Sequence, residues 1–372
     1  MQDKLTVARE VINEVDQQIA KLFEKRMHAV ELVAQHKKEC GLPVYDGPRE
    51  EAIINRNLGF ISDEKLRPYY QQFLKNTMAV SRSYQHRLLE GLRVAYSGVE
   101  GAFAYIAAKN IFPDGKLIAY SSFKHAYKSV VDGECDLAVL PIENSFAGEV
   151  GQVLDLMFAG SLYVNGVYDL PIVHNLLLTK GGRVEDVKTV ISHPQALNQC
   201  ASYIEEHGYQ TIEVSNTAWA AKEVAKRADP TIAAIASKET AELYDLVIGD
   251  HDINESATNT TRFAVFSSQS NTPKAVRNNS FILMFTVSNT AGSLAKAISI
   301  IGRNGYNMRV LRSRPMKELA WMYYFYVEAE GDIANCQGQK LIAELKENCD
   351  KLKVVGTYSS LGSLDDLKEV EL

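Results

Sequence analysis

From Leu5 to Val33 the apolar residues Leu5, Ala8, Val11, Ile12, Val15, Ile19, Leu22, Phe23, Val30 and Val33 recur at helical spacing. At about 100° per residue they form one stripe. Continuing that wheel to Lys37 puts Arg26 and Lys37 within about 20° of each other near the stripe's centre, while Glu10, Glu14, Lys21, Glu24 and Lys25 take the opposite face. Two cations therefore point towards a core. An unpaired buried guanidinium or ammonium is costly, so the pair needs anionic company. That company is either a carboxylate, such as Asp16 at the stripe's edge, or a bound anion, and this helix alone leaves both open.

Residues 1 to about 90 read as all helix. Gly41-Leu42-Pro43 breaks the first helix, and Asp46-Gly47-Pro48 has the cap-then-proline chemistry of a new start. A third helix is expected from about Asp63 to Leu89, with Leu66, Tyr69, Phe73, Thr77, Val80, Tyr84 and Leu88 inward. Three helices with one very long arm make a poor monomeric bundle, so a homodimer, or a higher homo-oligomer, is expected to bury the stripe.

From Leu92 short strands alternate with helices. Strands are expected at 93–96, 117–120, 136–142, 188–192, 210–214, 231–236 and 262–267, with helices such as 102–111 and 194–206, so the segment 92–268 reads as an α/β domain of two lobes with mostly parallel sheet. The polar stretch 268–279 reads as a linker. Beyond it a strand (281–287), a helix (291–303), two strands (307–314 and 320–328), a helix (333–348) and a strand (352–358) give the order βαββαβ, a ferredoxin-like domain over 280–372.

A chain of 372 residues has room for these domains, each with its own core. No apolar run approaches a membrane span and the N-terminus lacks the pattern of a signal peptide, so a cytoplasmic protein is expected. The five cysteines are scattered without paired spacing, which argues against a zinc site and a disulfide framework. A net charge of −6 with no long basic block argues against nucleic acid as a partner.

Three loop motifs of the middle segment lie at strand ends, where open α/β sheets bind ligands. They are Leu140-Pro141-Ile142-Glu143-Asn144-Ser145, Ser192-His193-Pro194-Gln195 and Asn259-Thr260-Thr261-Arg262-Phe263. Each alone reads equally as helix caps and turn residues; three on one sheet edge favour a site. No Gly-rich phosphate loop, Ser-His-Asp arrangement or metal-ligand spacing competes with them.

LPIENSFAG, SHPQALNQC and NTTRF, in that order, resemble prephenate dehydratase. The helical segment before them resembles the intertwined-helix class of chorismate mutase, and the segment after them resembles an ACT regulatory domain. The whole chain thus resembles the bifunctional chorismate mutase/prephenate dehydratase family. That resemblance implies an all-α mutase domain (1–90), a two-lobed, periplasmic-binding-protein-like dehydratase domain (92–268) and an ACT domain (280–372), with no metal and no organic cofactor.

For the mutase, the resemblance assigns Arg9, Arg26, Lys37, Asp46, Arg49, Glu50, Ser81 and Gln85. Chorismate is a dianion and its rearrangement is pericyclic, so catalysis comes from holding the compact conformer and stabilising charge on the breaking ether bond. Arg9 and Arg26 would grip carboxylates, Lys37 and Gln85 would donate to the ether oxygen, and Glu50 would accept from the hydroxyl. The wheel puts Arg9 about 80 to 100° from Arg26 and Lys37. The resemblance implies that this arginine comes from the partner subunit.

For the dehydratase, the resemblance places Thr261 at the leaving hydroxyl of prephenate, Asn144, Ser192 and Gln199 as hydrogen-bonding partners, and Arg262 as a carboxylate clamp. Glu143 is the nearest motif residue that would serve as a stronger acid if its pKa were raised. The turn Ser97-Gly98-Val99-Glu100-Gly101 precedes a helix start whose amides suit an anion.

In the ACT segment, Gly292, Ser293 and Leu294 match an effector element loosely, as do Ser313, Arg314 and Pro315, with Arg312 where the family has Glu. L-Phenylalanine is the effector this implies; a dimerisation domain that binds nothing is the alternative. From another class, an amino-acid sensor would also combine a two-lobed domain with an ACT domain, but the presence of Thr261, Asn144 and Ser192 opposes it.

Overall fold

The computed structural model describes residues 4–256, 258–270, 279–316 and 322–359. Most of the expected linker (271–278), the start of the expected strand at 320 and the expected third domain beyond 359 lie outside the described residues. Two compact units form, one from the residues up to Arg93 with Gly133–Asp136, the other from Val94–Asp132 and Leu137 onward.

The first unit is helical. Its helix α1 (Lys4–Cys40) is unbroken, α2 spans Gly47–Leu58, and a short 3-10 turn (Glu64–Leu66) leads into α3 (Arg67–Glu90). Asp46 caps α2, accepting from the Arg49 N–H at 3.1 Å, with proline in the first turn as its chemistry requires. Little of the apolar stripe is covered: Val30 and Ala34 are buried, whereas Val11, Ile12 and Leu22 are each more than half exposed. Of the expected inward residues, Leu66 just before α3 and Tyr69, Phe73, Val80 and Leu88 on it are exposed, and Met78, Ser81 and Gln85 are buried instead. The buried face of α3 is thus set by its packing on α1 and α2, and its more apolar face is left open.

In the second unit β1 to β5 are Arg93–Ser97, Lys116–Tyr120, Leu137–Asn144, Gly148–Glu149 and Tyr163–Pro171. Strands β6 to β10 are Asn175–Leu178, Thr189–Ser192, Gln210–Glu213, Ile232–Ala236 and Val247–Asp250, and β11 is Thr260–Ser267. The first sheet has the order β2-β1-β3-β11-β5 with β4 on β3, and the second the order β10-β6-β9-β7-β8. Helices α4 (Phe103–Ile111), α5 (Phe123–Val131) and α6 (Gly151–Ala159) pack on the first sheet. The second sheet carries α7 (Pro194–Gln199), α8 (Ala201–Glu206), α9 (Thr217–Arg227) and α10 (Lys238–Leu243). Alternation divides its side chains between two cores: Leu176, Val190 and Ile235 point into one, Leu177, Ile191 and Ala234 into the other.

The expectation of mostly parallel sheet is corrected. Strands β1–β3, β7–β8 and β7–β9 pair in parallel, but β3–β11, β5–β11, β6–β9 and β6–β10 are antiparallel. The cause is the path of the chain: β5 carries it from the first sheet to β6 of the second through Ile172–His174, and β11 brings it back. The single helix expected over 194–206 is also divided, because Cys200 leaves helical backbone angles. At the break the Gln199 carbonyl accepts from the Glu255 N–H at 2.9 Å.

The remaining elements follow the order βαββαβ: β12 (Asn279–Thr286), α11 (Ser293–Arg303), β13 (Asn307–Pro315), β14 (Tyr323–Glu330), α12 (Cys336–Asn348) and β15 (Lys351–Ser359). They build an antiparallel sheet ordered β13-β14-β12-β15. One face, with Phe281, Leu283, Phe285, Val327 and Ala329, packs under the two helices. The other lies on the first sheet, β15 against β5. Approach there is so close that a Cβ at Gly356 would overlap the Val164 carbonyl. No helix among the described residues is long and apolar enough to cross a membrane.

Candidate active sites

In the helical unit Arg26 of α1 donates to the Ser81 hydroxyl of α3, and burial lowers its pKa from the ordinary value. Lys37 donates to the Val44 carbonyl at 2.6 Å. Among the described residues neither cation pairs with a carboxylate, so the internal ion pair with Asp16 does not form. Gln85, one turn beyond Ser81, donates to the Ser81 carbonyl at 3.2 Å, while its buried Oε1 has no partner among the described residues. Lys37, Asp46 and Arg49 line one open pocket of ≈ 570 Å³ together with Tyr45.

Glu50 is already held. Its carboxylate takes two bonds from Arg82, at 2.6 and 2.5 Å, and the same guanidinium lies 5.4 Å from the Tyr45 ring centroid. Arg82 was not singled out in the sequence, since a charged residue between two serines on a helix reads as surface. Arg9 is exposed on the α1 surface. It lies 17 positions before Arg26, about 25 Å along a continuous helix at 1.5 Å per residue.

In the second unit the antiparallel register places Thr261 of β11 opposite Asn144 of β3. Both are buried. Asn144 Nδ2 donates to Thr261 Oγ1 at 2.9 Å and to Asn259 Oδ1 at 2.9 Å, while its Oδ1 accepts from the N–H groups of Phe146 and Ala147. These four bonds fix the amide, so its N–H side must face Thr261. Because Thr261 Oγ1 accepts from Asn144, the hydroxyl's own proton is free for another partner.

Glu143 and Arg262 stand next to these two residues, and alternation turns them to the other face of the sheet. The expectation that they serve the leaving hydroxyl and a substrate carboxylate is therefore corrected. Arg262 pairs with Glu328 at 3.0 Å, Glu143 at 3.4 Å and Asp169 at 3.6 Å. Burial opposes the Arg262 charge, but the Glu328 carboxylate outweighs it and raises the pKa above the ordinary value. Glu143 also pairs with Arg312 of β13.

Ser192 is fully buried and donates to the Ile235 carbonyl at 2.6 Å, tying β7 to β9, so its hydroxyl proton is used within the sheet. His193 caps α7, its Nδ1 accepting from the Gln195 N–H at 3.2 Å. Gln199 is buried at the end of α7 and its Oε1 lies 2.9 Å from His174 Nε2.

Of the expected effector residues, Gly292 holds a left-handed backbone with φ +84° before α11, the Ser293 hydroxyl bonds Thr290 at 2.6 Å, and Leu294 packs against the core under the helices. Ser313 and Pro315 are exposed on β13. Arg314 is engaged instead by Glu149, by Asp155 at 3.4 Å and by the Tyr324 hydroxyl at 3.0 Å, which corrects its reading as a free effector ligand.

Residues 94–271 match the family model for prephenate dehydratase and residues 8–86 that for chorismate mutase type II. The fold and sites thus define an enzyme that joins an isomerase to a carbon-oxygen lyase. A bifunctional chorismate mutase/prephenate dehydratase of Neisseria gonorrhoeae is 31% identical over 357 residues, covering 94% of this chain and 95% of that one. The chain belongs to the bifunctional chorismate mutase/prephenate dehydratase family, whose two steps lie in phenylalanine biosynthesis. Among solved structures, a chain described as a quorum-quenching acylase is 28% identical with a TM-score of 0.67, covering 72% of this chain and 97% of that one. A prephenate dehydratase from Arthrobacter aurescens in complex with L-Phe is 24% identical with a TM-score of 0.67, covering 72% and 90%.

Proposed function

We propose that the mutase site is built on α1, α2 and α3 within 1–90, with Arg26 and Lys37 as its cationic wall, Ser81, Gln85, Asp46 and Arg49 around it, and Arg9 supplied by a second subunit. The spacing along α1 supports this: one straight helix cannot bring Arg9 and Arg26 to one small dianion. The open stripe of α1 supports the dimer, since so much exposed apolar surface needs a cover. Glu50, oriented by Arg82, would accept from the substrate hydroxyl.

Dehydration is assigned to the domain over 92–268, at the Asn144–Thr261 pair. The observation that carries this is the direction of the 2.9 Å hydrogen bond. A Thr261 hydroxyl that accepts from Asn144 directs its own proton to the departing hydroxyl of prephenate. When the bond from the ring to the carboxylate carbon breaks, carbon dioxide leaves, the bonding electrons enter the ring and expel the hydroxyl as hydroxide, which the Thr261 hydrogen bond stabilises and which takes its proton from solvent. Aromatisation drives the step, so orientation and one well-placed donor suffice.

The βαββαβ segment, 280–372, is proposed to be an ACT domain, and its effector L-phenylalanine, the molecule in the Arthrobacter aurescens structure. A cytoplasmic location completes the reading. The test supplies chorismate to purified protein and follows prephenate and phenylpyruvate with and without phenylalanine. Arg26→Ala should stop only the first conversion and Thr261→Ala only the second; loss of both in either variant would sink the two-site reading.

A further inference from the structure

His174 lies on the segment that carries the chain from β5 to β6 and is 2% exposed. Its Nε2 lies 2.9 Å from Gln199 Oε1, and its Nδ1 has no partner among the described residues. Burial lowers its pKa, so the ring is neutral near pH 7. Facing Gln199 Oε1, Nε2 is the nitrogen that carries the hydrogen and Nδ1 is bare.

Gln199 is in the complementary state. With Oε1 turned to His174, the amide Nε2 is left buried without an acceptor among the described residues. Asn259, 3% exposed, is in the same condition: its Oδ1 accepts from Asn144 and its Nδ2 has no partner there. Buried amide donors without acceptors are costly, and an anionic ligand relieves them. Beside them α4 begins at Phe103 without a side-chain cap, and the Phe103 ring meets His174 edge-on at 5.6 Å. Uncapped backbone N–H groups at a helix start favour the same kind of ligand.

We propose that His174 is a positioning residue for the dehydratase: by donating to Gln199 Oε1 it turns the Gln199 amide N–H, together with that of Asn259, to a carboxylate of prephenate. The inference rests on the reading that prephenate reacts at the Asn144–Thr261 pair.

The test uses the full chain and compares His174→Gln, His174→Asn and His174→Leu, with prephenate as substrate. A glutamine amide nitrogen reaches the place of Nε2, whereas that of asparagine reaches the place of Nδ1. His174→Gln should stay close to the parent, and His174→Asn and His174→Leu should lose about 10- to 100-fold in kcat/KM, mostly through KM. Once Gln199 is alanine, adding His174→Leu should cost nothing more. Equal activity of His174→Asn and His174→Gln, or additive losses in the double variant, would overturn the role. Trp219 and Trp321 are the two tryptophans and both lie beyond residue 93, so a fluorescence melt follows the second unit. If His174→Leu melts early, the comparison of the two amides decides. Thr261→Ala carried alongside separates the failures. An active Thr261→Ala chain sinks the site and the inference together, whereas an inactive one beside indifferent His174 variants sinks only the part given to His174.

Discussion

Glu143 of β3 and Arg312 of β13 form an ion pair that joins the first sheet of the second unit to its third. Next to Glu143, Asn144 faces the other way and holds Thr261. Arg262, next to Thr261, reaches the buried Glu328 of β14 at 3.0 Å. Each strand thus carries a residue of the proposed dehydratase pair on one face and an anchor to the third sheet on the other.

Reversing one charge of the first pair should destabilise the second unit. Both side chains are about four-fifths buried in place, so Glu143→Arg or Arg312→Glu should cost about 1–4 kcal/mol. The reciprocal double variant should recover only part of it, because the new arginine at 143 still faces Arg262. A fluorescence melt in urea reads the difference, and single variants as stable as the parent would show that the pair carries no weight.

Removing the hydroxyl of Thr261 should slow phenylpyruvate formation on the order of a hundredfold while leaving the mutase rate unchanged. Thr261→Ser should keep most of the rate, because the serine hydroxyl can still accept from Asn144. A Thr261→Ser chain as slow as Thr261→Ala would mean that something other than the hydroxyl matters.

Arg9→Ala and Arg26→Ala chains, each inactive as a mutase, should regain activity when mixed and allowed to exchange subunits. A mixed pair holds one site with both arginines and one with neither. Absence of recovery after exchange has been proven by mass spectrometry would rule out the shared site.

His174 should also mark the acid limb of stability. Its folded pKa lies below the ordinary 6.5, so between the two values the unfolded chain binds more protons. Stability from this group is therefore present above about pH 6.5 and is lost as pH falls towards the folded pKa. The melting temperature of the parent should drop relative to His174→Gln between pH 7 and 5. Parallel curves for the two chains would contradict a neutral buried imidazole.

Much of the architecture could be read in advance, because β1, β3, β7, β9 and β11 are rich in apolar and β-branched residues and follow clear turn signals. The missed strand β5 has a physical reason: Asn165, Gly166, Asp169 and Pro171 interrupt it. The site was legible as a set of motifs but not as a surface. Glu143 and Asn144 are neighbours in a string, as are Thr261 and Arg262, yet the pleat divides each pair between two faces. Ser192 looked like a ligand because nothing in the sequence says that its hydroxyl is taken by Ile235. Arg82 and His174 give no signal in the sequence because their partners, Glu50 and Gln199, are far away in the chain.

On the proposed dimer, the uncovered stripe of α1 should give the two reactions different dependence on how much protein is present. The second unit closes its cores within one chain, so phenylpyruvate formation per chain should hold constant on dilution. If a second subunit supplies Arg9 as proposed, mutase activity should fall away below the dissociation constant of the pair. A dilute chain would then depend on prephenate made elsewhere, while a crowded one would make its own.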